Sequence, residues 1–377
     1  MKSIKRYKEP ILFLIIFNIP LYFLAKQMGI SNMFNTMMNT AYSLLMETAF
    51  FLLAICVVMS AFSYMLNEFG VVALLNRLLS SLMKPLYGLP GAASLGIVLT
   101  YLTDNPAILS VADNDSYKAY FEEYQLPALT NLGTSFGMGL IVTTFVIGIK
   151  PLANDSMISA ALIGNLGAVI GSIISTRLML HFCKKHFGVQ KGSINTKAYT
   201  ENETKSSSKL GDRILKCIID GGTKGVELGM SIVPGVLVVC TFVFMLTNGP
   251  SASGAYTGAA YEGVALLPKI ADALNFILQP MFGFKSSECI SVPITALGAA
   301  GAATGIIPKL YYAGAASPHD IAVFVSMCMC WSGYLSTHLS MMGKLGYTEL
   351  TGKAILSHTI AGLCAGVVTN WIYVLIM

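Results

Sequence analysis

The chain has 377 residues, of which 54% are hydrophobic and only 11% charged, with a mean hydropathy of +0.66, where soluble domains carry roughly 25% charged residues. That balance excludes an ordinary soluble domain, a coiled coil, a collagen and a disordered chain. The formal charge of +5 is scattered through short polar stretches, so it forms no nucleic-acid-binding face and reads instead as topology information.

Seven segments reach the length of about 20 apolar residues needed to cross a bilayer: 10–27, 42–66, 127–149, 157–182, 226–247, 319–342 and 352–376. The first follows a basic start (Lys2, Lys5, Arg6, Lys8) but no small-residue cleavage site follows it. It is expected to be a retained anchor, with an outer loop running to residue 41. Residues 71–84 are helically periodic but interrupted by Asn76, Arg77, Ser80 and Ser81, the pattern of an interfacial helix. The apolar stretch 88–112 is punctured by Asp104, Asn105 and Pro106. Two turn-forming polar residues before a proline reverse the chain, which predicts a re-entrant hairpin with its tip buried in protein.

Lysines and arginines cluster at the N-terminus and in the Ser-rich segment 184–224, and both are therefore expected on the cytoplasmic side of a bacterial inner membrane. An even number of crossings must separate them. That holds only if 71–112 does not cross.

An internal repeat is legible. Met65-Leu66-Asn67 recurs as Met245-Leu246-Thr247 at an offset of 180, and Lys84-Pro85-Leu86-Tyr87-Gly88 as Gln279-Pro280-Met281-Phe282-Gly283 at an offset of 195. The insertion 249–263 accounts for the difference. Gly167-x-x-x-Gly171 falls on Gly362-x-x-x-Gly366 at the later offset, and such small-residue faces allow close helix contact, within one chain or between copies in a homo-oligomer. Span two runs inward and its counterpart, span five, runs outward, so the repeats are inverted, as in many secondary transporters. The expected organisation is an N-terminal anchor and loop (1–41), a first repeat (42–183), a cytoplasmic polar linker (184–224) and a second, inverted repeat (225–377). The fold class is an all-α polytopic membrane protein of about seven transmembrane helices and two re-entrant hairpins.

This order, together with Lys84-Pro-Leu-Tyr-Gly-Leu-Pro-Gly91 and Pro280-Met-Phe-Gly-Phe-Lys-Ser-Ser-Glu288-Cys-Ile-Ser-Val-Pro293, resembles the nucleoside-recognition Gate-domain superfamily. Its relatives include concentrative nucleoside transporters, the gate portions of ferrous-iron transporters and spore-maturation membrane proteins. The resemblance implies a secondary transporter of a small polar solute, nucleoside-like solutes included, or a Gate-domain protein acting in an assembly. The second motif is similar to the hairpin opening of nucleoside carriers. The first hairpin departs from it, with Ala93 at the place of Glu288.

Glu288, with Ser286 and Ser287, is the first candidate for solute contact, because a carboxylate in a membrane-embedded segment is costly unless it has a function. Thr103, Asp104 and Asn105 mark a hairpin tip whose exposed helix ends suit a solute or a coupling ion. Asn131, Ser135, Asn165, Ser332 and Thr337 are polar positions inside spans, placed either to line a cavity or to bridge helices. Glu47 and Glu227 occupy equivalent span starts and, with Asp104, are candidates for coupling to Na⁺ or H⁺. No metal site or organic cofactor is expected: the eight cysteines form no C-x-x-C pair, and no phosphate-binding loop is present. The run Gly133-Thr-Ser-Phe-Gly137 matches a serine-nucleophile motif, which leaves an intramembrane hydrolase using Ser135 with His338 or His358 as a remote alternative.

Single-cysteine labelling with a membrane-impermeant reagent checks the orientation. Position 209 should react only from the cytoplasmic side and position 256 only from the other, and reaction of both from one side would overturn the inverted arrangement.

Overall fold

The computed structural model describes residues 7–105, 107–108, 112, 115–152, 155–188, 209–251 and 253–377. It is all helical in its regular elements, and seven described helices have the length and composition to cross a membrane. In chain order the elements are α1 (Lys8–Met28), α2 (Ile30–Glu68), α3 (71–87), α4 (Ala93–Leu102), α5 (Ala128–Thr134), α6 (Gly139–Ile147), α7 (Met157–Phe187), α8 (Leu210–Thr247), α9 (266–282), α10 (Ser291–Tyr312), α11 (Pro318–Cys330), α12 (Tyr334–Leu345) and α13 (Thr351–Ile376).

The structure sharpens the repeat. Ile30–Glu68 recurs as Leu210–Thr247 at the 180 offset, and the 195 offset maps 71–87 onto 266–282 from end to end. Each repeat therefore begins about a dozen residues before its expected boundary. Residues 30–41 are helix rather than an outer loop, and residues 210–224 of the expected polar linker form about the first four turns of α8. Helices of 39 and 38 residues reach nearly 60 Å at 1.5 Å per residue, about twice the hydrocarbon thickness, so polar ends project from both.

Contacts between distant loops sort into two ends of the molecule. At one end Arg213 Nε meets Glu68 Oε1 at 2.7 Å, Arg177 donates to the carbonyls of Pro85 and Leu86, and His186 approaches Glu349 at 3.7 Å. At the other, Tyr311 donates to Asp155 (2.6 Å), Lys285 N to Asp320 (2.8 Å) and Asn39 to Gly258 O (2.8 Å). The start of α2 lies at the second end and the start of α8 at the first. The two repeats are thus inverted.

The hairpins differ in what the sequence revealed. The first turns at Thr103, Asp104 and Asn105; Pro106, expected in the turn, lies outside the described residues. Its arms touch, since a Cβ added at Gly96 would come within 2.5 Å of Ile108 Cδ1. The second is concealed in Ser287–Tyr312, which has the length of a crossing. Ala299 breaks it (φ −158°, ψ 96°), and Cys289 Sγ lies 3.4 Å from Ala315 O. A straight helix would hold those ends nearly 40 Å apart, so the segment folds back. The corresponding crossing is made by α11 and α12 together, which the sequence reading treated as one continuous span (319–342).

Exposed apolar surface is continuous on α1, where residues 11 to 17 are all exposed and apolar, and extends over the outer faces of α2, α8 and α13. The inner frame rests on α2 and α8. Gly221, Gly225 and Gly229 recur at every fourth position along one face of α8 and meet the backbone of Ala61, Val57 and Leu53. Such spacing lets antiparallel helices touch main chain to main chain. The expected faces Gly167/Gly171 and Gly362/Gly366 are likewise spent inside the chain, packed against Thr369, Cys330, Trp331 and Met327, so they supply no surface for a second copy.

The insertion 249–263 docks on the start of α2. Asn32 and Asn39 donate to the Tyr256 and Gly258 carbonyls, and Thr40 Oγ1 accepts from Tyr261 N. Glu262, 4% exposed, accepts from Thr257 N, the Thr257 hydroxyl, Gly258 N and the Thr36 hydroxyl. Burial by itself would raise its pKa, but these hydrogen bonds outweigh that and hold it below the usual carboxylate range.

The α2–α8 crossing yields a test. A Cβ at Gly225 would lie 2.4 Å from Val57 Cα, whereas one at Gly222 would have only Val57 Cγ1 at 3.8 Å. Gly225→Ala should therefore cost about 1–3 kcal/mol through overpacking against backbone that cannot rotate away. Gly222→Ala should melt close to wild type. Equal melting temperatures in a thermal scan of the purified variants would refute this packing.

Candidate functional site

Four interruptions of regular helix converge at the centre of the molecule. Two are the hairpin tips, at 103–105 and at Ala299. The others are breaks within crossings: α5 and α6 are separated by 135–138, with Met138 at φ 58°, and α11 and α12 by 331–333, with Gly333 at φ 63°. Met138 and Gly333 are related by the same 195 offset, as are Asp104 and Ala299. The site is thus the repeat's interruption, present twice.

The four interruptions, with Ser231, Ile232 and Gly235 of α8, line a partly open cavity of about 230 Å³. Asp104, Asn105, Ser332 and Thr337 supply most of its polarity, and Gly298 to Ala302 form a smooth opposite wall. Helix ends that terminate inside protein leave amides and carbonyls without intrahelical partners, and irregular backbone at membrane depth is tolerated where it lines such a cavity.

Asn105 is the pivot. Its Nδ2 donates to Ser332 Oγ at 3.1 Å, joining the first hairpin to the break in the second repeat. A Cβ at Gly137 would fall 2.2 Å from Asn105 Oδ1, and one at Gly333 would fall 2.4 Å from Asn105 Nδ2. The amide is therefore wedged between the two broken crossings and fits only because both neighbours are glycine; Gly333 also needs its left-handed backbone. Beside it, Asp104 Oδ1 and Asn105 Oδ1 are shut off from solvent and have no hydrogen-bond partner among the described residues. Each such group costs about 1–3 kcal/mol, more if charged. Unpaired oxygens of this kind would be satisfied by a cation or by a donor on a solute.

Of the residues singled out from sequence, Asp104, Asn105, Ser332 and Thr337 are brought together. Thr103 is adjacent but bonds back to Leu99 O (2.6 Å). Asn131 reaches Ser175 Oγ and Ala354 O, both at 2.9 Å, and Asn165 bridges to Thr143 Oγ1 at 2.9 Å, so both serve helix contacts away from the cavity. Ser135 donates to Asn131 O at 2.8 Å, and among the described residues no hydrogen bond joins it to His338 or His358. That arrangement offers no activated nucleophile.

Glu288, Ser286 and Ser287 sit at the foot of the second hairpin. Ala299 lies eleven positions beyond Glu288, about 16 Å of helix. Next to them Asp320 closes a capping box with Ser317. Glu47 pairs with Lys309, and Tyr261 donates to it at 3.4 Å. Glu227 pairs with Lys224 at 2.6 Å on an exposed helix face. Sequence reading missed the two broken crossings. Their signals were Gly137 and Gly333, one residue out of register and set in runs otherwise apolar enough to pass for continuous spans.

The geometry defines a class, an all-α polytopic membrane protein built from two inverted repeats, each with a re-entrant hairpin and a broken crossing. Among solved structures the chain is similar to a double variant of the concentrative nucleoside transporter CNTnw in an outward-facing state. The TM-score is 0.56 at 16% identity, covering 87% of this chain and 76% of that one. It is also similar to CNTnw in an inward-facing, substrate-bound state, with TM-score 0.53, 15% identity and coverage of 87% and 75%. No family model and no curated protein matches the chain. At this identity the likeness concerns the fold.

The wedge around Asn105 predicts strong coupling. Gly137→Ala should destabilise the protein by about 2 kcal/mol through overpacking, and most of that loss should disappear in an Asn105→Ala background. A double-mutant cycle on melting free energies reads the coupling. Strict additivity would remove the wedge.

Proposed function

We propose that the protein is a secondary active transporter of a small polar organic solute, nucleoside-like solutes included, driven by Na⁺ or H⁺. One observation carries the reading: two hairpin tips and two broken crossings from inverted repeats line one central cleft, and Asp104 in its wall has a carboxylate oxygen with no hydrogen-bond partner among the described residues. Structural proteins have no need for four backbone interruptions at one point, and each must be sustained against its cost in hydrogen bonds. The fold shared with a transporter solved in outward-facing and inward-facing states supports the same reading. In it, Asp104 and Asn105 receive the solute or the coupling ion, Ser332 and Thr337 supply further polar contacts, and Gly298 to Ala302 set the size limit. Glu288, with Ser286 and Ser287, stands at the approach from the opposite end. Glu47 and Glu227, each held by a lysine, are the less favoured coupling groups.

The test is uptake into proteoliposomes of a panel of nucleosides, bases and small carboxylates, with and without Na⁺ and H⁺ gradients. At least one solute should accumulate only with a gradient. Asp104→Asn keeps shape and removes charge, so it should lower gradient-driven uptake at least tenfold with expression and melting temperature near wild type. Cysteines at 103 to 105 should be shielded from small thiol reagents by the same solute. Failure of the whole panel under both gradients, or full activity of Asp104→Asn, would overturn the assignment.

A further inference from the structure

Two carboxylates are fully buried among the described residues, and the fold supplies both with donors. Glu262 accepts from Thr257 N, the Thr257 hydroxyl, Gly258 N and the Thr36 hydroxyl. Asp320 accepts from Lys285 N, Ser317 N and the Ser317 hydroxyl. Asp104 is treated differently. It stands half-buried at the first hairpin tip, in the wall of the central cavity. Its Oδ1 has no hydrogen-bond partner, and among the described residues no ion pair reaches it.

The rest of the lining brings no positive charge. Asn105, Ser231, Ser332 and Thr337 are neutral, Met138 and Ile232 are apolar, and the wall from Gly298 to Ala302 carries nothing larger than a methyl group. Lys309, further along the second hairpin, is held by Glu47. Residues 106, 109–111, 113 and 114, next to the first tip in sequence, add no lysine, arginine or histidine. A carboxylate shut away from water without donors is costly until a positive group meets it. An anionic solute would place a second unbalanced charge beside the first, so the lining selects against it. No second acid stands in the lining, so one positive group is matched and the rest of the solute faces neutral wall.

We infer that the transported solute carries one basic nitrogen, as an amine or an amidine-type group, which docks on Asp104, and that anions are turned away. The identity of the solute rests on the transport reading; the charge preference of the cavity does not. The contact holds a single proton between carboxyl and nitrogen. An ammonium or amidinium brings that proton, and Asp104 accepts as the carboxylate. With an amino-bearing base such as cytosine or adenine, a protonated Asp104 donates to the ring nitrogen while the exocyclic amine donates to the other carboxyl oxygen. Uracil has no basic ring nitrogen and cannot complete the pair. Asn105 Oδ1, equally without a partner, would be satisfied by a further N–H.

The test uses the full chain in lipid nanodiscs, carrying Gly298→Cys or Thr337→Cys in the cavity wall. An added Cβ at Gly298 has only Val239 Cγ1 within 4 Å, and the native cysteines are buried or, for Cys364, partly so. Modification of the new thiol is followed by mass spectrometry at pH 8.5. Three methanethiosulfonates of similar size are compared, bearing a trimethylammonium, a hydroxyl or a sulfonate group, each rate divided by that for free 2-mercaptoethanol. The cationic reagent should be at least tenfold faster than the neutral one and the anionic reagent slowest, and the order should collapse in Asp104→Asn. Equal normalised rates with Asp104 intact, or a faster anion, would overturn the inference whether or not Asp104→Asn folds. So would loss of the preference when sodium replaces potassium at constant ionic strength, since Asp104 would then belong to a coupling ion. In proteoliposomes under the same gradients, accumulation should be confined to cytosine, adenine and their nucleosides within the panel, and to ethanolamine and guanidine added to it. Gradient-driven uptake of uridine, uracil or a carboxylate would overturn the inference and leave the transport reading standing. A cavity that prefers cations in a chain that accumulates nothing would overturn the transport reading alone.

Discussion

In a bilayer a main-chain polar group that leaves its helix must find another partner inside the protein, and this constraint organises the whole molecule. Among the described residues the helices are interrupted around the central cleft at 103–105, 135–138, Ala299 and 331–333. Each interruption can exist only where the others bury it. Gathering all four at one point meets that requirement and leaves a polar chamber in an otherwise apolar body. The rest of the fold follows: long helices form a frame, short arms fill half the depth from each side, and glycines stand wherever one backbone must press on another.

Asn105 shows how tightly the arrangement is specified. Its amide bonds Ser332 and occupies space that a Cβ at Gly137 or at Gly333 would need. One polar side chain thus reports on both repeats at once, and a shift of either broken crossing must move or release it. Packing this close passes a local shift on to its neighbours, since it leaves no free space to absorb it.

Much of this was legible in the sequence, and the parts that were not share a cause. The offsets of 180 and 195, the helix from residue 71 and the first hairpin were readable because polar residues or a proline punctuate them. The second hairpin turns at Ala299 inside a run of glycine and alanine, where hydropathy carries no sign of reversal and composition suits a crossing. The breaks at Met138 and Gly333 were hidden for the same reason. Glu288 drew attention because charge is rare in such a chain, yet polarity at the centre comes from Asp104, Asn105, Ser332 and Thr337, which only the folding back of the hairpins and crossings brings together. Glycine faces were found on α7 and α13 but missed on α8, where Lys224 and Glu227 interrupt the apolar run.

The insertion 249–263 exists in one repeat only, and it clamps the start of α2 through Glu262, Asn32 and Asn39 at one end of the molecule. Two identical inverted halves could trade conformations, and the resulting mirror arrangements, open to opposite faces, would be equal in energy. A latch at a single end removes that degeneracy. Every 1.4 kcal/mol of difference in how the latch fits the two arrangements shifts their ratio about tenfold. In the transport reading proposed above, the resting population would thus be set in part by a short loop that contributes no residue to the lining of the central cleft.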